Sequence, residues 1–198
     1  MSYRVEKKFR VTHYESLKIK KLLSEKGMKL LHPKRKITSQ YFDTNNYLMF
    51  DESEEGVLPR KKIRARWYND KKNIISFEEK VSSIEGRFKT TKKISYGQFL
   101  ILKQVGLIHK DYGRIKASAE ISYEREYFEW NNVRFTFDTN ITYSFNERGN
   151  SYNDFGEVVE IKAPYEISND FIEKIFPITT SRFSKYCRAF LIKNKELF

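Results

Sequence analysis

Charged and apolar side chains take turns along Lys62-Ile63-Arg64-Ala65-Arg66-Trp67-Tyr68. In a β-strand successive side chains point to opposite faces, so Lys62, Arg64, Arg66 and Tyr68 share one face and Ile63, Ala65 and Trp67 the other. The alternation predicts a strand over Lys61–Tyr68, and the pattern recurs. Tyr3–Val11 sets Arg4, Glu6, Lys8 and Arg10 against Tyr3, Val5, Lys7 and Phe9. Glu157–Ala163 sets Val158, Glu160 and Lys162 against Val159 and Ile161. Further strands are expected over Lys36–Asp43, Ile74–Val81 and Phe88–Ile94. Ala119–Trp130 and Asn132–Thr139 read as a hairpin around Asn131-Asn132.

Helices interrupt this series at recognisable starts. Thr12-His13-Tyr14-Glu15 and Ser95-Tyr96-Gly97-Gln98 are capping boxes, in which hydroxyl and carboxylate or amide satisfy each other's backbone donors. The first opens a helix to about Lys26, with Leu17, Ile19, Leu22 and Leu23 as its expected apolar stripe and Gly27 as its stop. The second opens a helix with Phe99, Leu100, Leu102 and Val105, stopped at Gly106. Tyr47–Phe50 reads as a short apolar segment and Asp51–Pro59 as an exposed acidic loop. Ser168 or Asn169 is expected to cap a short helix ending at Pro177. Phe183-Ser184-Lys185-Tyr186 leads into a C-terminal helix through Ala189, Phe190 and Leu191. The expectation is an α+β protein: one domain spanning 1–198, a mostly antiparallel sheet or barrel carrying surface helices.

Composition sharpens this picture. Aromatic residues make up 16% of the 198-residue chain, which favours a packed core over disorder. The formal net charge is +12, which calls for a polyanionic partner. The cations sit within predicted strands rather than in a tail or a stripe with exposed aromatics, so nucleic acid is not the expected partner. No apolar run approaches the ~20 residues that cross a bilayer, and the lone Cys187 makes no internal disulfide. A cytoplasmic location and a packing role for Cys187 are expected. His13, His32 and His109 are scattered and read as surface residues. No glycine-rich phosphate loop and no zinc-type cluster occurs.

On the charged faces cations outnumber carboxylates. Converging buried cations require a matching anion, and a chain of phosphates supplies one. Arginine suits bidentate phosphate contacts and lysine acts as a point charge. The few carboxylates suit a divalent ion bridging phosphates.

At this point the motifs resemble a known family. Arg4-Val5-Glu6-Lys7-Lys8-Phe9 resembles the R-x-E-x-K-[YF] opening of the VTC domain, the catalytic domain of the vacuolar transporter chaperone complex. Ser39-Gln40-Tyr41-Phe42-Asp43-Thr44 is similar to its S-x-Y-F-D-T segment, and Lys62–Tyr68 to its K-[IV]-R-x-R-x-Y strand. Glu78-Glu79-Lys80, Tyr123-Glu124-Arg125 and Arg134–Asp138 resemble its E-x-K, Y-x-R and R-[IV]-T-[IV]-D strands. Glu160-Ile161-Lys162 and Phe183–Tyr186 resemble its E-[IV]-K and F-S-K-Y segments. The matches keep their order from Arg4 to Tyr186.

The resemblance implies a triphosphate tunnel metalloenzyme fold, a barrel of about eight antiparallel strands with a charged interior and flanking helices. It implies transfer of the γ-phosphoryl of ATP onto a growing polyphosphate chain, with Mn²⁺ or Mg²⁺. By motif position, Arg64, Arg66, Arg125 and Lys80 act on the transferring group, and Lys8 and Lys185 bind phosphate. Lys62, Arg87, Lys89, Arg134 and Lys162 are further phosphate contacts, and Glu160 is the metal ligand. Partners are then ATP and polyphosphate, with a membrane partner protein left open. Hydrolysis by the same kind of tunnel, as in triphosphatases and class IV-type cyclases, is the nearest alternative. A non-catalytic sensor of polyphosphate or inositol phosphates is another.

Overall fold

The computed structural model describes residues 4–145, 151–164, 166–167, 170 and 183–194. Among these, ten strands and four helices follow in the order β1 (Arg4–Val11), α1 (His13–Glu25), β2 (Lys29–Asp43), α2 (Leu48–Glu55), β3 (Arg60–Tyr68), β4 (Lys71–Ser83), β5 (Gly86–Ile94), α3 (Tyr96–Val105), β6 (Leu107–His109), β7 (Gly113–Trp130), β8 (Val133–Phe145), β9 (Ser151–Asn153), β10 (Glu157–Pro164) and α4 (Lys185–Lys193). The helix expected between Ser168 and Pro177 lies outside the described residues. The chain forms two compact units, and β2, β7 and β8 each contribute to both.

The first unit holds residues 1–35, 123–141 and 153–183, with its strands in the order β1-β10-β8-β7-β2. Antiparallel register places Glu6 opposite Lys162, and Lys162 opposite Arg134. Lys8 pairs with Glu160, and Glu160 with Thr136. The alternate positions form an apolar face of Phe9, Val11, Phe135, Phe137, Val159 and Ile161, which packs on Ile19 and Leu23 of α1. The capping box at Thr12 forms as expected. The expected stripe is half right: Ile19 and Leu23 are buried, but Leu17 and Leu22 are exposed, because the helix rests on the sheet along Ser16, Ile19 and Leu23.

The second unit holds residues 36–122, 142–152 and 184–198, with the strand order β8-β7-β2-β3-β4-β5. Its apolar face gathers Phe42, Ile63, Ala65, Trp67, Ile75 and Ile94 under Phe99 of α3 and Met49 of α2. The second capping box, at Ser95, also forms, and α3 stops at Gly106. Gly106 adopts φ 83°, and a Cβ there would lie 2.2 Å from the Ile115 carbonyl oxygen, so no other residue fits.

Strands outrun the sequence expectation at several ends. β2 starts at Lys29 rather than Lys36, β7 at Gly113 rather than Ala119, and β8 continues to Phe145. The added stretch of β2 is mostly exposed and carries Pro33, so no buried alternation marks it. The hairpin turn at Asn131-Asn132 is confirmed, both residues lying in the left-handed region.

The acidic loop expected over Asp51–Pro59 is largely helical. α2 lacks a side-chain cap from its own N-cap, Tyr47. Instead the Asp43 carboxylate, at the end of β2, accepts the backbone N–H groups of Met49 and Phe50 at 3.0 and 3.1 Å. Asp43 lies six and seven residues before these donors, outside the capping-box spacing, so no standard motif marks the helix start. Asp43 also accepts from the Thr44 N–H at 2.7 Å and from the Tyr186 hydroxyl of α4. One buried carboxylate thereby joins β2, α2 and α4. Asp43→Ala orphans these donors and is expected to cost on the order of 3 kcal/mol in denaturant unfolding. A change below about 0.5 kcal/mol, the range of an ordinary surface substitution, would show that the junction holds without it.

Candidate functional site

Each unit carries one charged face, on the side of the sheet opposite its helix-covered core, and the two faces differ in balance. In the first unit, the face brings together Glu6 and Lys8 of β1, Arg125 of β7, Arg134, Thr136 and Asp138 of β8, and Glu160 and Lys162 of β10. Its carboxylates are all engaged. Lys8 Nζ meets Glu6 at 2.8 Å, and Lys162 Nζ meets Glu160 at 2.9 Å. Arg125 holds Asp138 through both Nε and Nη2, at 2.5 and 2.7 Å, and reaches Glu160 at 3.5 Å. Asp138 is fully buried, so the guanidinium is pinned in one orientation.

Glu160 shows the strength of this field. Burial favours its neutral form, but Arg125, Lys8 and Lys162 outweigh burial and hold the carboxyl well below the usual carboxylate range. Lys8 is also penalised by burial, yet Glu160 and Glu6 raise its pKa. Glu6 and Glu160 lie close enough for Glu160 to push the pKa of Glu6 upward, although Lys8 and Lys162 help to bring the net shift down after burial has raised it.

In the second unit the balance is lost. Across β2-β3-β4-β5 the register aligns Ser39, Arg66, Ser76 and Lys93 in one row and Tyr41, Arg64, Glu78 and Thr91 in the next. The row beyond aligns Lys62, Lys80 and Lys89, and Arg87 follows one row further on. On β3, β4 and β5, Glu78 is the carboxylate of this face, set against Lys62, Arg64, Arg66, Lys80, Arg87, Lys89 and Lys93.

Glu78 is 3% exposed and Arg64 7%. The Glu78 Oε2 accepts from Arg64 Nε at 2.7 Å and Nη2 at 2.6 Å, and Oε1 from Lys89 at 2.5 Å. Burial alone would raise the Glu78 pKa, but Arg64, Lys89 and Arg66 bring it to about 2. Arg66 Nε donates to Ser39 at 3.0 Å, and Lys62 donates to Ser184 Oγ at 2.8 Å. Ser184 caps α4, so the Lys62 bond sets the start of that helix, and Lys185 with it, beside the cationic face. Cys187 is buried as expected.

Sequence reading passed over Tyr41. Its hydroxyl accepts from Arg64 Nη1 at 3.0 Å, and its ring stacks on Tyr186 with 4.8 Å between centroids. Burial resists its ionisation, but Arg64, Arg66 and Lys80 outweigh it and bring the phenol to about 7. The signal was present: Tyr41 falls on the face of β2 that pairs with Arg64. What hid it is that tyrosine on a strand usually reads as packing. His109 is a correction in the other direction. It is buried rather than on the surface, because β6 pairs with β7 and sets the ring against Tyr112.

A family model described as the VTC domain matches residues 3–193. The chain belongs to the VTC domain family. Among curated protein sequences none matches this VTC domain. Solved structures do. A putative adenylate cyclase from Bacillus halodurans aligns with a TM-score of 0.61 at 15% identity, covering 92% of this chain and 94% of that one. A conserved hypothetical protein from Pyrococcus furiosus aligns at 0.58 and 14%, covering 93% and 99%. A putative adenylyl cyclase from Hippeastrum, described as having a dominant triphosphatase activity, aligns at 0.58 and 13%, covering 99% and 98%. The fold of this VTC domain is the α+β, mostly antiparallel triphosphate tunnel fold. Family and fold together are those of a tunnel-type phosphate-handling enzyme.

Tunnel enzymes of this kind generally use divalent metals. Among the described residues no three His, Cys, Asp or Glu side chains converge on one point. Glu6 and Glu160 nevertheless fit such an ion. Magnesium-type sites take one or two carboxylates and complete their shell with water and substrate phosphates.

The Tyr41 environment yields a direct test. In the ligand-free protein one tyrosine's share of the phenolate ultraviolet band, out of 13, is expected to titrate with a midpoint near neutrality, and that step should vanish in Tyr41→Phe. A bound phosphate chain cancels the field of Arg64, Arg66 and Lys80, so it should move that midpoint upward. A midpoint at the ordinary value of about 10 would show that these cations do not act on Tyr41.

Proposed function

We propose that this VTC domain is a metal-dependent polyphosphate polymerase that transfers the γ-phosphoryl group of ATP onto a growing polyphosphate chain. The observation that supports it most is the excess of cations over carboxylates on the charged face of β3, β4 and β5, read with membership of the VTC family. Arg64 is buried beside Arg66, with Glu78 as its counter-charge. Such a face is stable when a polyanion occupies it, and a phosphate chain has the required charge density.

Roles then follow residue by residue. Arg64 and Arg66, with Lys80, neutralise the transferring phosphoryl group. Lys62, Arg87, Lys89 and Lys185 bind neighbouring phosphates. Glu78 and Tyr41 hold the Arg64 guanidinium in place, so its orientation costs nothing at the moment of reaction. In the first unit, Arg125 is oriented by Asp138, and Lys8, Arg134 and Lys162 are phosphate contacts. Glu160, with Glu6 beside it, would hold Mn²⁺ or Mg²⁺, and that ion would draw charge off bridging phosphate oxygens. Lys8 and Lys162, which now pair with Glu6 and Glu160, would be available to phosphate if those carboxylates held the ion. No protein nucleophile is needed, because the accepting phosphate terminus is already deprotonated; alignment and charge neutralisation do the work.

Hydrolysis is the second reading, favoured by the triphosphatase activity in the description of the Hippeastrum protein of like fold. Product analysis separates the two. With ATP and Mn²⁺, the purified domain is expected to make long-chain polyphosphate, and free phosphate without polymer would establish the triphosphatase instead. Arg66→Ala is expected to lower the rate by about 10²–10³ while the protein stays folded, the cost of one preorganised donor. Near-native turnover in that variant would remove Arg66 from the reaction. In Glu160→Gln, the metal concentration for half-maximal activity should rise. An unchanged metal requirement would place the ion elsewhere.

A further inference from the structure

α3 breaks the rule that a surface helix turns a polar side to water. It packs Phe99 and Leu102 onto the core of the second unit. Its other side presents Tyr96, Leu100, Ile101 and Val105, exposed by 43%, 45%, 62% and 50%, with the uncharged Gly97 and Gln104 between them. Leu100 and Val105, two of the apolar residues that the sequence places in this helix, both turn outward. Ile108 of β6, two residues past the helix stop, adds a further side chain that is 76% exposed.

Cations rim this apolar surface. The Lys72 ammonium lies 5.7 Å from the Tyr96 ring centroid. Arg114, opposite Ile108 in the β6–β7 register, donates to the Val105 carbonyl at 3.3 Å. The Lys116 side chain lies against Gly106. Lys103, in the last turn, pairs with Glu120 at 3.2 Å.

We propose that the outer side of α3, with Ile108, docks on an anionic lipid surface. Exposed aliphatic side chains with flanking lysine and arginine are what an interfacial helix uses: the apolar side enters the headgroup boundary while the cations meet anionic headgroups. A protein partner would be expected to find aromatic and arginine anchors at the centre of the patch, with charge excluded from it. Here the centre is Leu100 and Ile101, and the arginine and lysines stand at the edge. Charge complementarity therefore favours the bilayer. The surface belongs to neither charged face, so the proposal stands apart from the reaction proposed above.

Vesicle flotation tests it, with neutral phosphatidylcholine vesicles set against vesicles containing phosphatidylglycerol. The full chain is expected to float with the anionic vesicles, less so as salt rises, and to ignore the neutral ones. Leu100→Ser/Ile101→Ser leaves the net charge unchanged and should weaken binding by about tenfold or more, with an unaltered thermal melt and unaltered phosphate-chain binding. Should that pair fail to fold, Ile108→Ser tests the same surface on a different element, with a smaller loss in the same direction. Equal binding by the serine variants would reduce the effect to adhesion by net charge and overturn the proposal. So would absence of vesicle binding, or a self-association that the same substitutions abolish.

Discussion

A strand has two faces, and a helix can cover only one of them. In both units the covered face is the apolar one: α1 rests on Phe9, Phe135, Phe137 and Ile161, and α3 and α2 rest on Ile63, Ala65, Trp67 and Ile75. Because strand periodicity is fixed at two residues, this choice commits every intervening side chain to the opposite face. Each charged face is thus the unavoidable partner of a buried one. Its chemistry depends on how its charges are then compensated.

The two faces solve that problem differently. On the first, Lys8, Lys162 and Arg125 are matched to Glu6, Glu160 and Asp138, and the coupled shifts of Lys8 and Glu160 show how strongly each sign stabilises the other. On the second, the Glu78 carboxylate and the Tyr41 hydroxyl oxygen accept from Arg64 and keep it in place. The excess of cations over carboxylates on β3, β4 and β5 is the feature on which the proposed phosphate-chain binding rests.

Much of this was legible in the chain. The alternation of Lys62 to Tyr68, the capping boxes at Thr12 and Ser95, and the turn at Asn131-Asn132 are local signals, and each appears in the structure where the sequence placed it. The grouping of Lys8 with Glu160 and of Lys62 with Lys80 and Lys89 needed strand register, which the ordered family motifs carried indirectly. α2 escaped because its N-cap, Tyr47, makes no side-chain cap, and Asp43, which accepts from Met49 and Phe50, stands outside the usual capping spacing. Tyr41 escaped because a phenol becomes acidic only when another strand brings Arg64 to its oxygen.

The sequence by itself determined which side chains share a face, where helices start and stop, and that the protein carries a large excess of positive charge. Those properties follow from backbone periodicity and near-neighbour hydrogen bonding, which a linear string records. Only the tertiary structure decided which carboxylate Lys8, Arg64, Lys89, Arg125 and Lys162 each meet. It also decided that Asp43 binds three elements together, and that α3 turns Leu100 and Ile101 to the outside. These outcomes depend on distances between residues far apart in the chain, set by strand pairing and by how each helix rolls on its sheet.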